Sequence, residues 1–160
     1  MFSVEEIKAL TLGARIVESW ADQSLATAAQ SALSKIESAL PDEKRNEVNR
    51  TLLFSPMSRI SSDISNIMLE IRLATDRRQK LSIHYQKANG EQSQRTLWPL
   101  GLFFWGNTWT FGAWCELREN FRIFRLDRIK QLILLDEKYP DEPGKTLDDL
   151  IRLQDKACGQ

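Results

Sequence analysis

Residues 81–101 read LSIHYQKANGEQSQRTLWPLG, and this stretch decides which kind of fold the chain can form. Apolar and polar residues alternate at its start, a period of two that is typical of a half-buried β-strand. The apolar members are Leu81, Ile83 and Tyr85. Asn89-Gly90 follows, and both residue types tolerate the positive φ angles of a tight hairpin turn. The stretch therefore predicts a β-hairpin whose second strand runs from Gln92 to Trp98.

More short strands are expected downstream of this hairpin. Pro99-Leu100-Gly101 should bend or interrupt the chain, and Gly106-Asn107 and Arg118-Glu119-Asn120 should form turns. The predicted strands between and after these breaks are Leu102 to Trp105, residues 108–114, Phe121 to Arg125 and Gln131 to Leu135. Five or six short strands at this spacing favour a small β-barrel.

The first 80 residues show helical periodicity instead. Ser3-Val4-Glu5-Glu6 fits a capping box, in which Ser3 and Glu6 each satisfy the other's backbone amide. The apolar stripe of this first helix consists of Ile7, Leu10, Ala14 and Val17. Asp22 should cap a second helix that ends at Pro41.

A third helix is expected after a connector at residues 41–54. Ser55-Pro56 makes a good start for it, because proline is favoured in the first turn of a helix. Its stripe consists of Ile60, Ile64, Ile67, Ile71 and Ala74. The predicted class is α+β, with a helical region at 1–79, a β-barrel at 80–136 and a tail at 137–160 that contains a short helix.

Positive charge is concentrated in one part of this neutral chain. The chain has 22 Lys and Arg and 22 Asp and Glu residues in all. Residues 77–130 contain 10 basic and 4 acidic residues, a net charge of +6. The regions on either side are net acidic. Such an arrangement favours anionic partners for the basic segment.

The segment RENFRIFRLDRI, residues 118–129, places four arginines among aromatic and aliphatic side chains. Arginine is suited to bidentate recognition of phosphate or carboxylate and to stacking on bases. The alternative is that these arginines form structural salt bridges with Glu116, Glu119 and Asp127. Three carboxylates cannot pair with all four arginines, and Arg95 adds a fifth cation. We therefore predict an anion site that consists of Arg122, Arg125 and Arg128, with Arg95, Arg118 and Tyr85 at its edge.

Strand geometry constrains this site. In a regular strand Arg122 and Arg125 point to opposite faces, so one ligand can contact both only if the strand ends or bulges between them. Leu126-Asp127-Arg128 is expected to form a tight 3₁₀ turn, which would place Arg125 and Arg128 side by side. Arg128 would then pair with Asp127, and Arg122 is expected to contact the ligand.

The residues that most enzymes need are sparse. His84 is the only histidine, and it has no neighbouring Cys or carboxylate at a metal-ligand spacing. Cys115 lacks an evident base and is expected to be a small buried residue. No phosphate-binding glycine loop or nucleophile elbow is present. The sequence predicts a binding module, not an enzyme, with no metal or other cofactor.

The N-terminus lacks the basic start and apolar stretch of a signal peptide, and no apolar run is long enough to span a membrane. A cytoplasmic protein without membrane contact is therefore expected.

Several motifs in this order resemble the WYL domain of bacterial transcription regulators of the YafY-like, DeoR-type class. The matching features are Ile83-x-Tyr85, Asn89-Gly90, Arg95-x-x-x-Pro99-Leu100, Trp109-Thr110-Phe111, Cys115 and the block from Arg122 to Ile129. The helices upstream resemble that family's linker. The name-giving Trp-Tyr-Leu is Trp109-Thr110-Phe111 here, which keeps an apolar core position but loses an aromatic ring.

The resemblance implies an Sm-like, SH3-like β-barrel that senses an effector and passes the signal through helices to a DNA-binding domain. In some family members the effector is thought to be a nucleotide or a nucleic acid. The family usually carries an N-terminal winged helix-turn-helix, and none precedes the linker helices here. We expect either a truncated chain or a protein without its own DNA-reading domain.

Three functions are compatible with these features. The leading one is an effector-sensing regulatory domain that binds an anionic nucleotide or nucleic acid. The second is a free-standing barrel that binds RNA or single-stranded DNA directly, and the third is a dimerising adaptor without a ligand. A homodimer formed mainly through the helical region is expected, because operators for regulators are commonly palindromic.

Overall fold

The computed structural model of the chain describes residues 1–50 and 60–159. The elements are α1 (Val4–Trp20), α2 (Gln23–Ala39), α3 (Asp42–Asn49), α4 (Ser62–Asp76), β1 (Gln79–Gln86), β2 (Gln92–Phe104), β3 (Trp109–Cys115), β4 (Asn120–Arg125), a 3₁₀ turn (Leu126–Arg128), β5 (Ile129–Lys138) and α5 (Leu147–Cys158). The chain is α+β, as predicted. It divides into two compact units, Met1–Leu69 and Glu70–Gln160. None of the helices in the described residues is long and apolar enough to cross a membrane.

Side-chain caps define the starts of the first two helices, as predicted. The Ser3 hydroxyl accepts from the Glu6 amide at 3.2 Å, and the Glu6 carboxylate accepts from the Ser3 amide at 2.7 Å. The carboxylate of the buried Asp22 accepts from the Leu25 amide at 3.1 Å at the start of α2. Each cap satisfies backbone amides that the first turn of a helix leaves without partners.

The region between α2 and α4 differs from the prediction. The predicted connector at 41–54 contains a helix, α3. Residues 51–54 of the predicted connector lie outside the described residues. Arg45 of α3 donates to the carbonyls of Glu37 and Leu40, which satisfies acceptors at the C-terminal end of α2. Ser55-Pro56 also lies outside the described residues, and α4 starts at Ser62.

One position of the predicted α1 stripe is wrong. Leu10 is 45% exposed, while the neighbouring Thr11 is buried. Thr11 is compatible with burial because its hydroxyl donates to the Ile7 carbonyl at 2.8 Å, one turn earlier. Apolar periodicity cannot predict the burial of a polar residue whose hydroxyl finds its hydrogen-bond acceptor within the same helix.

The five strands form one antiparallel sheet in the order β4-β3-β2-β1-β5. The break predicted at Pro99-Leu100-Gly101 is a register shift within a single long strand, so the two strands predicted here are both part of β2. The first half of β2 pairs with β1, and the second half pairs with β3 from Leu97 onward. Pro99 can lie inside this strand because a register shift tolerates a residue without an amide donor.

The predicted closed barrel is not confirmed, because β4 and β5 are the two edges of the sheet and no ladder in the described part of the chain joins them. The sheet is nevertheless strongly curled. Tyr85 on β1 contacts Phe124 on β4, with ring centroids 5.1 Å apart, although two strands separate β1 from β4. Side chains, and not a ladder, bring these strands together.

The curl encloses one face of the sheet, called the inner face below. Strand alternation and burial assign these residues to it: Leu81, Ile83, Tyr85, Leu97, Phe111, Ala113, Cys115 and Phe124. The predicted shared face of Trp109, Phe111 and Ala113 agrees with this register. Cys115 is a free thiol with no exposed surface.

The opposite, outer face is partly covered by α5. Two glycines on neighbouring strands make room for this helix, because Leu147 contacts Gly101 and Leu150 contacts Gly112. Thr146 and Asp149 form a capping box at the start of α5. The tail that was predicted as a loop and a short helix is therefore packed on the sheet.

Replacing Gly112 by alanine should destabilise the protein by about 1–3 kcal/mol, the usual cost of overpacking a filled site. The new Cβ would overlap the buried Leu150 side chain, with the Phe103 ring 3.3 Å away on another side. Urea denaturation of Gly112→Ala measures the change.

Gly13→Ala is the matched control, since nothing lies within 4 Å of a Cβ at Gly13. Its position inside α1 predicts a stabilisation of about 0.5–1 kcal/mol. Equal stability of Gly112→Ala and the parent would show that α5 does not pack against the sheet as described.

Candidate anion-binding site

Arg125 at the end of β4 is held by a carboxylate two residues away. Its Nε donates to Asp127 Oδ1 at 3.0 Å, and its Nη2 donates to Oδ2 at 2.6 Å. This bidentate pair raises the pKa of Arg125 and lowers the pKa of Asp127, chiefly through the hydrogen bonds. The charge of Arg125 is thus largely compensated within the chain.

The pairing predicted for Asp127 is wrong. The predicted 3₁₀ turn at Leu126–Arg128 is present, but the partner of Asp127 is Arg125 and not Arg128. Arg125 still has extended backbone angles, with φ −80° and ψ 134°, so it lies just before the turn and its side chain can reach across to Asp127. Arg128 affects Asp127 only by a weaker electrostatic attraction.

The backbone of Arg125 is also fixed. Its amide donates to the Tyr85 hydroxyl at 3.1 Å. Tyr85 stays a predicted residue of the edge of the site, and in the structure its hydroxyl accepts a hydrogen bond from the β4 backbone. Sequence periodicity assigned Tyr85 to a strand and could not reveal which distant amide its hydroxyl would meet.

Arg122 and Arg125 lie on opposite faces of β4. Arg122 pairs with Ala113 and Arg125 with Thr110, and the β3–β4 register runs without a shift between them. The bulge that would have turned both arginines toward one ligand is therefore absent from this ladder. The side chain of Arg122 projects from the same face of the sheet as its inner-face partner Ala113, and it is exposed to solvent.

Arg95 shares the direction of Arg122. It pairs with Ile83 on the neighbouring strand, so alternation turns it toward the inner-face side. Arg118 lies in the exposed turn between β3 and β4, where Glu119 has a φ of 47°. The Glu116 amide donates to the Thr96 carbonyl at 3.2 Å, which places the turn beside the part of β2 that carries Arg95.

These three arginines differ from Arg125 in their electrostatic surroundings. Within residues 1–50 and 60–159, no carboxylate lies within 4.0 Å of the guanidinium of Arg95, Arg118 or Arg122. Arg95 and Arg122 donate only to the carbonyls of the residues that precede them, each at 3.2 Å. Their charges are therefore available to an external anion.

Glu116, one of the carboxylates considered as an arginine partner, is bound elsewhere. Its Oε1 lies 2.6 Å from Lys80 Nζ and accepts from Trp98 Nε1 at 2.9 Å. Hydrogen bonding to Lys80 lowers the pKa of Glu116. Lys145 lies 5.1 Å from the centroids of both Trp98 and Trp114. This outer-face cluster was missed, because only the sheet register brings its residues together.

His84 lines a polar groove on the outer face of β1, β2 and β5, with a volume of about 290 Å³. Its other lining residues are Ser82, Gln92, Ser93, Gln94, Gln131 and Ile133. No carboxylate is among them. Across the described residues, no group of three or more His, Cys, Asp or Glu side chains is arranged to hold a metal ion.

The Arg125–Asp127 pair predicts a pH effect with a definite sign. Because the pKa of Asp127 is lowered in the fold, its contribution to stability is present above its ordinary value of 3.8 and is lost as the pH falls through the lower folded value. NMR titration of the Asp127 carboxyl carbon should give a pKa below 3.8, and Arg125→Met should raise it. An unchanged midpoint in Arg125→Met would contradict the pairing.

A comparison with protein families identifies the β-rich part of the chain. The profile of the WYL domain matches residues 66–134. The uncharacterized HTH-type transcriptional regulator YobV of Bacillus subtilis (strain 168) is 32% identical over 79 residues, which make up 49% of this chain and 25% of that protein. The chain thus spans about a quarter of the length of this curated relative.

Proteasome accessory factor B/C (PafBC) of Arthrobacter aurescens is a similar solved structure. It matches with a TM-score of 0.49 and 22% identity, over 88% of this chain and 21% of that chain. The profile match covers β1 to β4 and most of β5, including all six residues of the predicted site. Residues 66–134 of the chain are thus similar to the WYL domain.

Proposed function

We propose that this chain is an effector-sensing part of a bacterial transcription regulator and that its WYL domain binds an anionic nucleotide or nucleic acid. The B. subtilis relative is named as an HTH-type transcriptional regulator, which supports a regulatory role. In this proposal a separate helix-turn-helix domain contacts DNA, the helices carry the signal, and the protein acts as a homodimer in the cytoplasm.

One observation carries the ligand proposal: three of the arginines have no carboxylate partner among the described residues, whereas Arg125 has one. Arg122 and Arg95 are directed to the same face by strand register, and Arg118 extends from the adjoining turn. Arginine that is not neutralised within the chain can form charge-assisted bidentate bonds to phosphate. In this scheme Arg122 is the principal contact, Arg95 and Arg118 assist, and Arg128 contributes positive potential.

Arg125 and Tyr85 have supporting roles in the proposed site. The Arg125 guanidinium donates to the Asp127 carboxylate, and the Arg125 amide donates to the Tyr85 hydroxyl. Together they fix the end of β4 and thereby the direction of Arg122. The same contact supports a finer structural proposal, in which the curled sheet is an Sm-like barrel closed by side chains between β1 and β4.

Exposed aromatic residues favour a second candidate function, the direct binding of single-stranded nucleic acid. Trp105 at the β2–β3 turn is 62% exposed, and its ring centroid lies 6.5 Å from that of Phe103. An exposed aromatic face can stack on any base, while arginines follow the backbone phosphates. The two functions differ in whether a mononucleotide is sufficient for binding.

Arg122→Ala should weaken binding of a fluorescent single-stranded oligonucleotide or nucleotide about ten- to a hundredfold. This loss corresponds to about 1.5–3 kcal/mol for one charge-assisted bidentate contact. Stability should change by about 0.5 kcal/mol or less, because the side chain is exposed. Fluorescence anisotropy measures affinity, and thermal melting verifies that the variant is folded.

Arg152→Ala on α5 is the control for loss of one exposed arginine charge, and it should leave affinity nearly unchanged. Salt dependence distinguishes the two functions. Three phosphate contacts to a single strand predict a slope of about −2 for log affinity against log salt. If Arg122→Ala binds both probes like the parent, or if only unfolding accounts for its loss of binding, the proposed site is wrong.

A further inference from the structure

The polar groove around His84 is formed by the regular part of the sheet. β1 lies between β2 and β5, and its residue His84 pairs with Gln94 on β2 and with Gln131 on β5. Two positions earlier, Ser82 pairs with Ile133 on β5. Neither ladder has a register shift between Ser82 and His84. Residues paired across strands point to the same face, so these five side chains surround one space on the outer face.

The middle strand forms the floor of this groove, and the flanking strands form its walls. Ser82 is buried and His84 is half-buried, whereas Gln94, Gln131 and Ile133 are exposed. The two wall strands are about 9.5 Å apart, twice the usual spacing of neighbouring strands, so a ligand on the floor lies within reach of both walls. The volume of about 290 Å³ is close to the lower end of the range for small-molecule sites.

Most hydrogen-bonding side chains of the groove have no partner in the described part of the chain. Gln94 Nε2 donates to the Ser82 hydroxyl at 3.4 Å, which is a long hydrogen bond. The side chains of His84, Gln92 and Gln131 make no hydrogen bond to any described residue. Each glutamine amide therefore retains both a donor and an acceptor for an external ligand.

The groove is also free of fixed charge, since none of its described lining residues is Asp, Glu, Lys or Arg. Lys80, the next outer-face residue of β1, is neutralised within the chain. Its Nζ lies 2.6 Å from Glu116 Oε1 and 2.7 Å from Glu137 Oε1. A phosphate or carboxylate would find no uncompensated cation in the groove. The groove therefore suits an uncharged ligand, unlike the surface that carries Arg95 and Arg122.

A flat, uncharged ring with polar edges matches this arrangement. The amide of a glutamine can pair in two places with a nucleobase that presents a donor beside an acceptor. Histidine is among the side chains on which bases stack. A base that lies over His84 has one edge toward Gln94 and the other toward Gln131, and Ile133 adds apolar contact beside it.

We propose that this groove binds one uncharged nucleobase, free or as a nucleoside. His84 stacks on the face of the base, and Gln94 and Gln131 form hydrogen bonds to its edges. Strand alternation directs Arg95 and Arg122 to the inner-face side, so this site is distinct from the anion site proposed above. A nucleoside has no phosphate, and its binding does not depend on those arginines.

Titration of the full chain with adenosine, guanosine, cytidine and uridine tests for the site. The NMR signals of the Gln94 and Gln131 side-chain amides should shift with at least one nucleoside, with a Kd of about 1 mM or tighter. The monophosphate of that nucleoside should give an affinity within about twofold at the same signals, because the groove offers no cation for a charge-assisted bond. Methyl glucoside, an uncharged ligand without a flat ring, should leave both signals in place.

Two substitutions in the groove test the contacts. Gln131→Met removes one amide at nearly constant size and should weaken nucleoside binding about 2- to 12-fold, the usual effect of one neutral hydrogen bond. Ser82→Leu fills the floor and should weaken binding about tenfold or more through steric overlap with the ligand. Gln30→Met on α2, at an exposed site in the other compact unit, should bind like the parent. Thermal melting verifies that each variant is folded.

Four outcomes would each overturn the proposal. They are unchanged amide signals with all four nucleosides, equal shifts with methyl glucoside, a clear gain in affinity from the phosphate, and parent-like binding by both folded groove variants.

Discussion

The hydrogen bond from the Arg125 amide to the Tyr85 hydroxyl is the constraint on which the curl of the five-stranded sheet depends. It joins β4 to β1, which are separated by two strands in the order of the sheet. Without the Tyr85 hydroxyl, the partly buried amide of Arg125 would lose its acceptor, and a buried amide without a hydrogen-bond partner destabilises the fold. The contact between the Tyr85 and Phe124 rings adds apolar contact at the same place. Together they hold a curled sheet whose two edge strands are joined by no ladder in the described residues.

The same strand carries two arginines in different electrostatic surroundings. Because β4 runs without a bulge to Arg125, alternation sends Arg122 and Arg125 to opposite faces. Arg125 is then captured by Asp127, while Arg122 is left exposed, with no carboxylate of the described residues within ion-pair distance. One short strand thus carries an arginine whose charge is neutralised, Arg125, and one whose charge is not, Arg122. The ion pair of Arg125 stabilises the end of β4, and the exposed charge of Arg122 supports our proposal of an anion-binding surface.

Much of the fold was predictable because it depends on neighbours in sequence. The capping box of Ser3 and Glu6, the alternation from Leu81 to Tyr85 and the 3₁₀ turn at Leu126–Arg128 involve residues at most four positions apart. Errors arose where distant strands decide the outcome. Pro99 looked like a break, yet β2 continues through it because the pairing partner changes from β1 to β3 near that point.

The candidate site was predictable only as a set of residues. Sequence spacing indicated which arginines belong to the basic segment, but not which one Asp127 would bind. That choice depends on side-chain reach: Arg125 enters the turn with an extended backbone and reaches both oxygens of Asp127. The ion pair between Lys80 and Glu116 could not be predicted either, because the two residues are far apart in sequence and only the pairing of β1 and β3 with β2 brings them together.

Amide hydrogen exchange at Arg125 tests the central claim most directly. We expect slow exchange in the parent and exchange about 5- to 150-fold faster in Tyr85→Phe, which corresponds to about 1–3 kcal/mol for one lost acceptor. Ala113, in the interior strand β3, should remain protected in both proteins and so report on local rather than global opening. Equal protection of Arg125 in the parent and in Tyr85→Phe would contradict the account, because the curl of the sheet would then not depend on this hydrogen bond.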